Sequence, residues 1–346
     1  LKKTVITIIF ILAVCNVFAG YGGEPYAFLT LGASTRATGM GSAFTAIADD
    51  ASAAFYNPGG LTQLTSLQVM AESYFLTFGR NMNFISVANP FLIENHLYSY
   101  GISWINYSAG SDIEARTTNS PNPDSTFSDY TNIFNGSMAL QLSKTFGLGV
   151  NLKYLSHTIN KADSNGFSFD IGMLAKVEAI PGMKIGASFE NLGSLIGWSG
   201  SSASETMPPT IDAGVSYGMK NILNIDNTEL TGDCDFLYNT FGPATFAAGI
   251  EAKINTFFIR AGYNNGLTLG AGVCFIPSKI FDIKADYAFT MDTILPDSIN
   301  NRIGITLDFI SGQAQGNGDE TQPAQSQQNQ EQKTLQIKDY RLDDDW

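Results

Sequence analysis

The chain has 346 residues, of which 15% are charged and 12% aromatic, with 34 glycines and a formal net charge of −13. Charge this far below the roughly 25% of soluble domains disfavours a soluble enzyme and suits a membrane barrel, whose lipid face must be apolar at every second residue. The acidic balance excludes nucleic acid as a partner, because a phosphate-binding surface needs an excess of Lys and Arg.

Taken in chain order, Lys2 and Lys3 precede an apolar run over residues 4–14, and Val17-Phe18-Ala19 follows it. This is the pattern of a signal peptide cleaved after Ala19, and the run is too short for a spanning helix, which needs about 20 residues. Leu12-Ala13-Val14-Cys15 offers a lipobox as the alternative, against which Val14 stands where a small residue is normal. Export places the mature chain in the envelope of a Gram-negative-type bacterium, with the outer membrane as its expected location.

Residues 20–65 are rich in Gly and Ala and lack alternation; residues 38–54 read as one or two short helices. They are the expected hatch of a barrel that follows. From residue 66 to 310 the hydrophobic period is two, the strand signature. Phe281, Ile283, Ala285, Tyr287, Phe289 and Met291 share one face, with Asp282, Lys284, Asp286 and Thr290 on the other. Fourteen such runs are read: 66–77, 80–89, 97–108, 130–143, 145–159, 164–178, 182–191, 208–219, 226–239, 243–255, 256–264, 266–277, 280–291 and 299–310. Many last ten to twelve residues, the length with which a tilted strand crosses a bilayer, and closure into an antiparallel barrel satisfies every backbone polar group. The fold class expected is therefore an all-β, transmembrane, antiparallel barrel of about 14 strands, in contact with outer-membrane lipid.

The longest connections, 109–129 and 192–207, follow odd-numbered runs, while Ser143-Lys144-Thr145 and Pro277-Ser278-Lys279 are tight. Long loops outside and short turns in the periplasm put both chain ends in the periplasm. Thirteen charged positions from Lys153 to Arg302 point to the lumen with both signs present, which predicts mutual pairing. Cys234 and Cys274 fall on strands three apart, separated by about 14 Å of sheet, beyond the roughly 7 Å a disulfide spans; Cys234 is expected to face lipid.

No catalytic site, metal cluster or cofactor motif is found, and no cofactor is expected. Ala162-Asp163-Ser164-Asn165-Gly166 matches only the second half of an outer-membrane phospholipase motif, with Ala162 where the general base would stand. Asp233-Cys234-Asp235 puts two carboxylates on one strand face, read as lumen polarity. Gly39-Met40-Gly41 is read as a packing or turn feature. Residues 311–346 are of low complexity and are expected to form a periplasmic tail. Their end restores Leu335, Ile337, Tyr340, Leu342 and Trp346 among acids, as a partner-docking peptide would; a solvated end is the alternative.

At the hatch, Phe28-Leu29-Thr30-Leu31-Gly32-Ala33-Ser34-Thr35-Arg36-Ala37 leads through Met40-Gly41-Ser42-Ala43-Phe44 to Asp49-Asp50-Ala51-Ser52-Ala53-Ala54-Phe55-Tyr56, then Asn57, Pro58, Gly59, Gly60 and Leu61. This resembles the PorV/PorQ family, related to the FadL-type transporters, whose hatch carries an Asn-Pro-Ala-Gly-Leu-like motif; Gly59 replaces the Ala. Phe189-Glu190-Asn191-Leu192-Gly193, Arg260-Ala261-Gly262-Tyr263 and Asp286-Tyr287-Ala288-Phe289 extend the likeness to residues 26–310. The resemblance implies a fourteen-stranded barrel with its N-terminus in the lumen. It implies one of two roles: engaging exported cargo proteins or type IX-like secretion-system components, or transporting hydrophobic small molecules. The sequence likeness and the tail favour the first. A continuous apolar track from the loops to the hatch would favour the second.

Overall fold

The computed structural model describes residues 25–309, apart from positions 95, 118, 120, 203, 223–224, 241, 279 and 292–298. The signal segment and the tail, with Leu335, Ile337, Tyr340, Leu342 and Trp346, lie outside the described residues.

Fourteen long antiparallel strands form a closed barrel: β1 Gln68–Phe75, β2 Asn81–Ile93, β3 His96–Ala115, β4 Ser125–Ser143, β5 Phe146–Ile159, β6 Ala162–Lys176 and β7 Met183–Trp198 make up the first half. A two-residue strand, β8 (Ser204–Glu205), only augments the outer end of β7. The second half is β9 Thr210–Lys220, β10 Thr228–Asn239, β11 Thr245–Ile254, β12 Phe257–Tyr263, β13 Leu267–Phe275, β14 Phe281–Met291 and β15 Ile299–Phe309. Each long strand pairs with its chain neighbours, and β1 joins β15 from Gln68↔Asp308 to Phe75↔Asn301. With no free edge, every ladder is satisfied within the wall.

The alternation of the sequence becomes two faces. Ile102, Leu152, Leu195 and Ile259 are each more than 60% exposed on the outside, where lipid is the only solvent such a surface suits. Several of the lumen charges pair as their mixed signs predict, while Asp212, Asp233 and Asp282 each keep a buried carboxylate oxygen with no hydrogen-bond partner. Lys153 meets Asp170 at 2.8 Å, Arg260 meets Glu251 and Asp286 at 2.6 Å each, and Lys284 meets Asp308 at 3.2 Å. Cys234 and Cys274 are unpaired thiols.

Three boundaries differ from expectation. β3 and β4 run on through most of 109–129, with register shifts between Ser108 and Ile113. Beyond the bilayer neither face is buried, so the period-two signal fades while the backbone ladder continues. β7 likewise passes residue 191 to Trp198, with register shifts opposite Phe167, Phe169 and Ile171, where Asn191 (φ 59°) and Gly193 (φ 61°) adopt left-handed conformations. Third, the N-terminal part of the described chain does not sit at the periplasmic end. β1 starts and β15 ends at the short-turn end, but Tyr26 packs edge-on against His157, 5.9 Å away near the loop end of β5. Strand parity constrains only the strands, and the segment before β1 is long enough to climb the lumen.

A consequence of closure is direct to check: the folded protein should run faster on a gel unboiled than boiled. Equal mobility would sink the barrel.

Candidate functional site

The lumen and the segment inside it, residues 26–66, form the candidate site. The segment is short turns rather than long helices. It comprises a 3-10 turn at Ala27–Leu31, α1 at Thr35–Gly39, α2 at Ala53–Tyr56 and a second 3-10 turn at Pro58–Gln63. The sequence suggested helix over residues 38–54, but most of that stretch is turns, because Gly39, Gly41 (φ +69°) and Ser42 (φ 61°) end α1 at once. Ser34 caps α1 by accepting from the Ala37 amide, and Asn57 caps the second 3-10 turn by accepting from Gly59 at 3.0 Å.

Of the motif residues Asn57, Pro58, Gly59, Gly60 and Leu61, all are buried. The Asn57 side-chain amide donates to the Thr45 carbonyl (2.8 Å) and to the Met173 carbonyl of β6 (2.9 Å), tying the segment to itself and to the wall. A Cβ at position 59 would press on the Gly172 and Met173 backbone, and one at position 60 on the Ala48 carbonyl. Glycine at 59 in place of the alanine thus follows from the closeness of β6.

The wall grips the segment on nearly every side. Arg36 reaches Glu251 of β11 (2.8 Å) and bridges it to Asp49 (2.6 Å) and Asp50 (3.2 Å) within the segment. Glu72 of β1 accepts from the amide (3.1 Å) and hydroxyl of Thr35. Arg302 of β15, 1% exposed, donates to Thr38 Oγ1 (2.8 Å) and the Gly32 carbonyl (2.9 Å), and lies 3.8 Å above the Tyr74 ring. Asp235 accepts from the amides of Phe44 (2.7 Å) and Thr45 (3.0 Å), so this carboxylate has a more definite task than lumen polarity. Asn135 and Asn151 both donate to the Ala54 carbonyl at 2.9 Å. Among the described residues no cluster of His, Cys, Asp or Glu is arranged to hold a metal ion.

Close approach requires bare backbone. Inward glycines stand where the segment touches the wall: Gly149 against Pro58, Gly172 against Asn57 and Pro58, Gly186 against Thr45, Gly249 and Gly262 against Met40. The glycine content legible in the sequence therefore records contacts between two distant stretches of chain.

Towards the loop end the lumen changes character. Phe84, Ile105, Ile133, Leu155, Gly166 and Ile196 are direct cross-strand neighbours on β2 to β7. They form a continuous apolar row facing inward. The next row towards the turn end is polar, Ser86, Ser103, Asn135, Lys153 and Ser168. Phe28 joins the apolar zone by stacking on Tyr107 with centroids 4.3 Å apart, and Tyr26 lies beside it at 6.5 Å. Sequence reasoning listed the charged lumen positions and missed this row. The apolar residues on both faces were its only trace, and they signal burial only when strand register aligns them.

No family model matches the sequence, and no curated protein does. Solved structures do. The toluene transporter TbuX of Ralstonia pickettii is similar over 82% of this chain and 99% of its own, with 12% identity and a TM-score of 0.50. A FadL homologue of Pseudomonas aeruginosa is similar over 80% of this chain and 98% of its own, with 10% identity and a TM-score of 0.53. The toluene transporter TodX of Pseudomonas putida gives 11% identity and 0.53 over 80% and 97%. The fold is that of FadL-type outer-membrane barrels.

Proposed function

We propose that this chain is a non-catalytic outer-membrane conduit for hydrophobic small molecules, with residues 26–66 acting as a hatch across its path. The observation that carries the reading is the apolar row on six adjacent strands between the loop end and the polar midzone. A pore for ions or sugars has no use for such a row, whereas an apolar solute gains roughly 25 cal/mol for each Å² it shields from water there. Tyr26 and Phe28 occupy that zone in the resting state, so a solute entering from the loops would compete with them for the same wall. The similar folds of two toluene transporters and of the CymD monoaromatic hydrocarbon channel support the same class of solute.

Cells carrying the chain should take up a labelled monoaromatic hydrocarbon faster than cells lacking it. The Phe84→Asp variant should lose most of that gain, because a carboxylate in the apolar row has no partner. Uptake that is the same with and without the chain would end this reading. A PorV-type role in protein secretion rests on the sequence resemblance over residues 26–310 and on the tail. Its distinguishing result is loss of a defined set of exported proteins from the surface of a strain lacking the chain, with hydrocarbon uptake unchanged.

Tyr26→Ala/Phe28→Ala should leave the barrel folded, since both side chains belong to the segment and not to the wall. Hydrocarbon uptake should rise several-fold if these rings compete with solute. A fall in uptake would make them part of the solute's binding site instead.

A further inference from the structure

At the loop end of the lumen the N-terminal segment sets a phenol ring into the apolar zone. The Tyr26 ring stands edge-on to Phe28 (6.5 Å) and to His157 of β5 (5.9 Å), and His157 in turn meets Trp198 of β7 edge-on at 5.3 Å. The Tyr26 backbone is left-handed (φ 59°), a conformation that a bulky residue rarely adopts, so its surroundings rather than local preference hold the ring there.

The polar side of this site is unfinished. Nε2 of His157 lies 2.8 Å from Oδ1 of Asp129. An ionised carboxylate only accepts, so Nε2 carries the proton and Nδ1 of the neutral ring is left as an acceptor. That Nδ1 is buried and has no partner. Ser164 of β6 is the direct cross-strand neighbour of His157, is fully buried, and its hydroxyl has no partner either. The Tyr26 hydroxyl lies beside Ser164 without the geometry of a hydrogen bond. Three bare polar atoms at one spot are unusual, because nearly all buried polar groups are paired. The next inward pair towards the turn end, Leu155 and Gly166, already belongs to the apolar row.

A ring tethered to the chain cannot settle its hydroxyl on both wall groups, whereas a free one can. We propose that this zone is a binding site for a phenol, an aromatic ring with one uncharged hydroxyl, which replaces the Tyr26 side chain, donates to Nδ1 of His157 and accepts from Ser164. The inference deepens the conduit reading and rests on it for the solute's route in. Tyr26 fills the site in the resting state, so the two wall groups become reachable when that side chain leaves. A plain hydrocarbon in the same place would leave both of them unpaired, which is costly in a buried site. An aromatic acid fares worse. Burial, together with the nearby Glu205 and Asp129, pushes the Tyr26 hydroxyl up to about 12, and a carboxylate there would meet the same desolvation and two charges of its own sign.

The test uses p-cresol, the tyrosine side chain as a free molecule, on the full chain in non-ionic detergent. Tyr26→Gly empties the site, and calorimetric titration against matched detergent compares p-cresol with toluene and p-toluate. In this variant p-cresol should bind roughly tenfold tighter than toluene, the worth of a hydrogen bond made against one left unmade, although toluene is the more apolar. The acid should not bind, and the wild type, with Tyr26 in place, should bind p-cresol more weakly than the variant does. Ser164→Ala and His157→Phe, each added to Tyr26→Gly, should bring p-cresol to within about twofold of toluene, with heat-modifiable migration confirming a folded barrel. Equal binding of p-cresol and toluene in Tyr26→Gly, tighter binding of the acid, or a preference that survives both wall substitutions would overturn the inference. Chain-dependent hydrocarbon uptake alongside any of those results would leave the conduit reading standing. Selective p-cresol binding with uptake independent of the chain would support the site and remove the conduit reading instead.

Discussion

Replacing Gly149 by valine is expected to dislodge the N-terminal segment while leaving the barrel intact. Gly149 on β5 and Gly172 on β6 are direct cross-strand partners, and Asn57 to Gly59 rest on the bare patch they make. A side chain at 149 would collide with the Pro58 carbonyl and the Gly59 amide, which are backbone and cannot turn aside. Overpacking of this sort costs about 1–3 kcal/mol when side chains can shift, and more where they cannot. Valine is otherwise favourable in a strand, so the ladder itself loses nothing and the segment has to move. The measurement is thiol labelling at Ala54→Cys, a fully buried position, with Cys234 and Cys274 replaced by serine. Labelling should be at least tenfold faster in the Gly149→Val background, and single-channel conductance should rise. Leu148→Val, next door on the lipid face, should do neither. Equal labelling in all three proteins would mean that residues 57–60 are not wedged against the wall as described.

Arg36→Ala should loosen the other half of the segment. Its guanidinium is the link between Asp49 and Asp50 of the segment and Glu251 of β11. Without it, Glu251 keeps Arg260 at 2.6 Å, but the two aspartates lose their charge partner inside a closed lumen. Removing one member of a fully buried network costs on the order of 3–5 kcal/mol, and less here, where the Arg36 and Asp49 side chains are 21% and 34% exposed. The loss falls on the segment, because the strand ladders do not depend on Arg36. Hydrogen exchange should therefore show amides of residues 33–50 losing most of their protection while those of β10 to β12 keep theirs. Arg36→Lys should recover only part of the protection, since one ammonium cannot present the fork that meets several carboxylates at once. Unchanged exchange in Arg36→Ala would show that the glycine contacts alone hold the segment. A change spread over the whole barrel would show that Arg36 supports the wall.

These two substitutions separate what could be read early from what could not. The strands were legible because each crosses between lipid and lumen, and the two environments write opposite chemistry on alternate residues. Phe281 to Met291 and the run at Ile303 carry that pattern without interruption. Where the environment became uniform, as in residues 109–129 outside the bilayer, the same ladder continued with no pattern to announce it. The motif Asn57 to Leu61 stood out by its residue types, and its turn-forming role follows from Asn at the cap and Pro in the first turn. That Asn57 also reaches the Met173 carbonyl could not be inferred, because no local rule links positions so far apart.

The sequence by itself determined that this is a closed β-barrel of about fourteen long strands, with charged residues of both signs turned inward; the count of fourteen came with the strand pairing. Period two, strand length and sparse charge are local quantities, and local quantities survive in a list of residues. Only the tertiary structure decided that Arg36 meets Glu251, that the inward glycines form a seat for the N-terminal segment, and that the lumen divides into an apolar zone and a polar one. Each of these depends on register, which sets the residues of different strands side by side. Register belongs to pairs of strands and to the whole ring at once, so it becomes visible only when the barrel has closed.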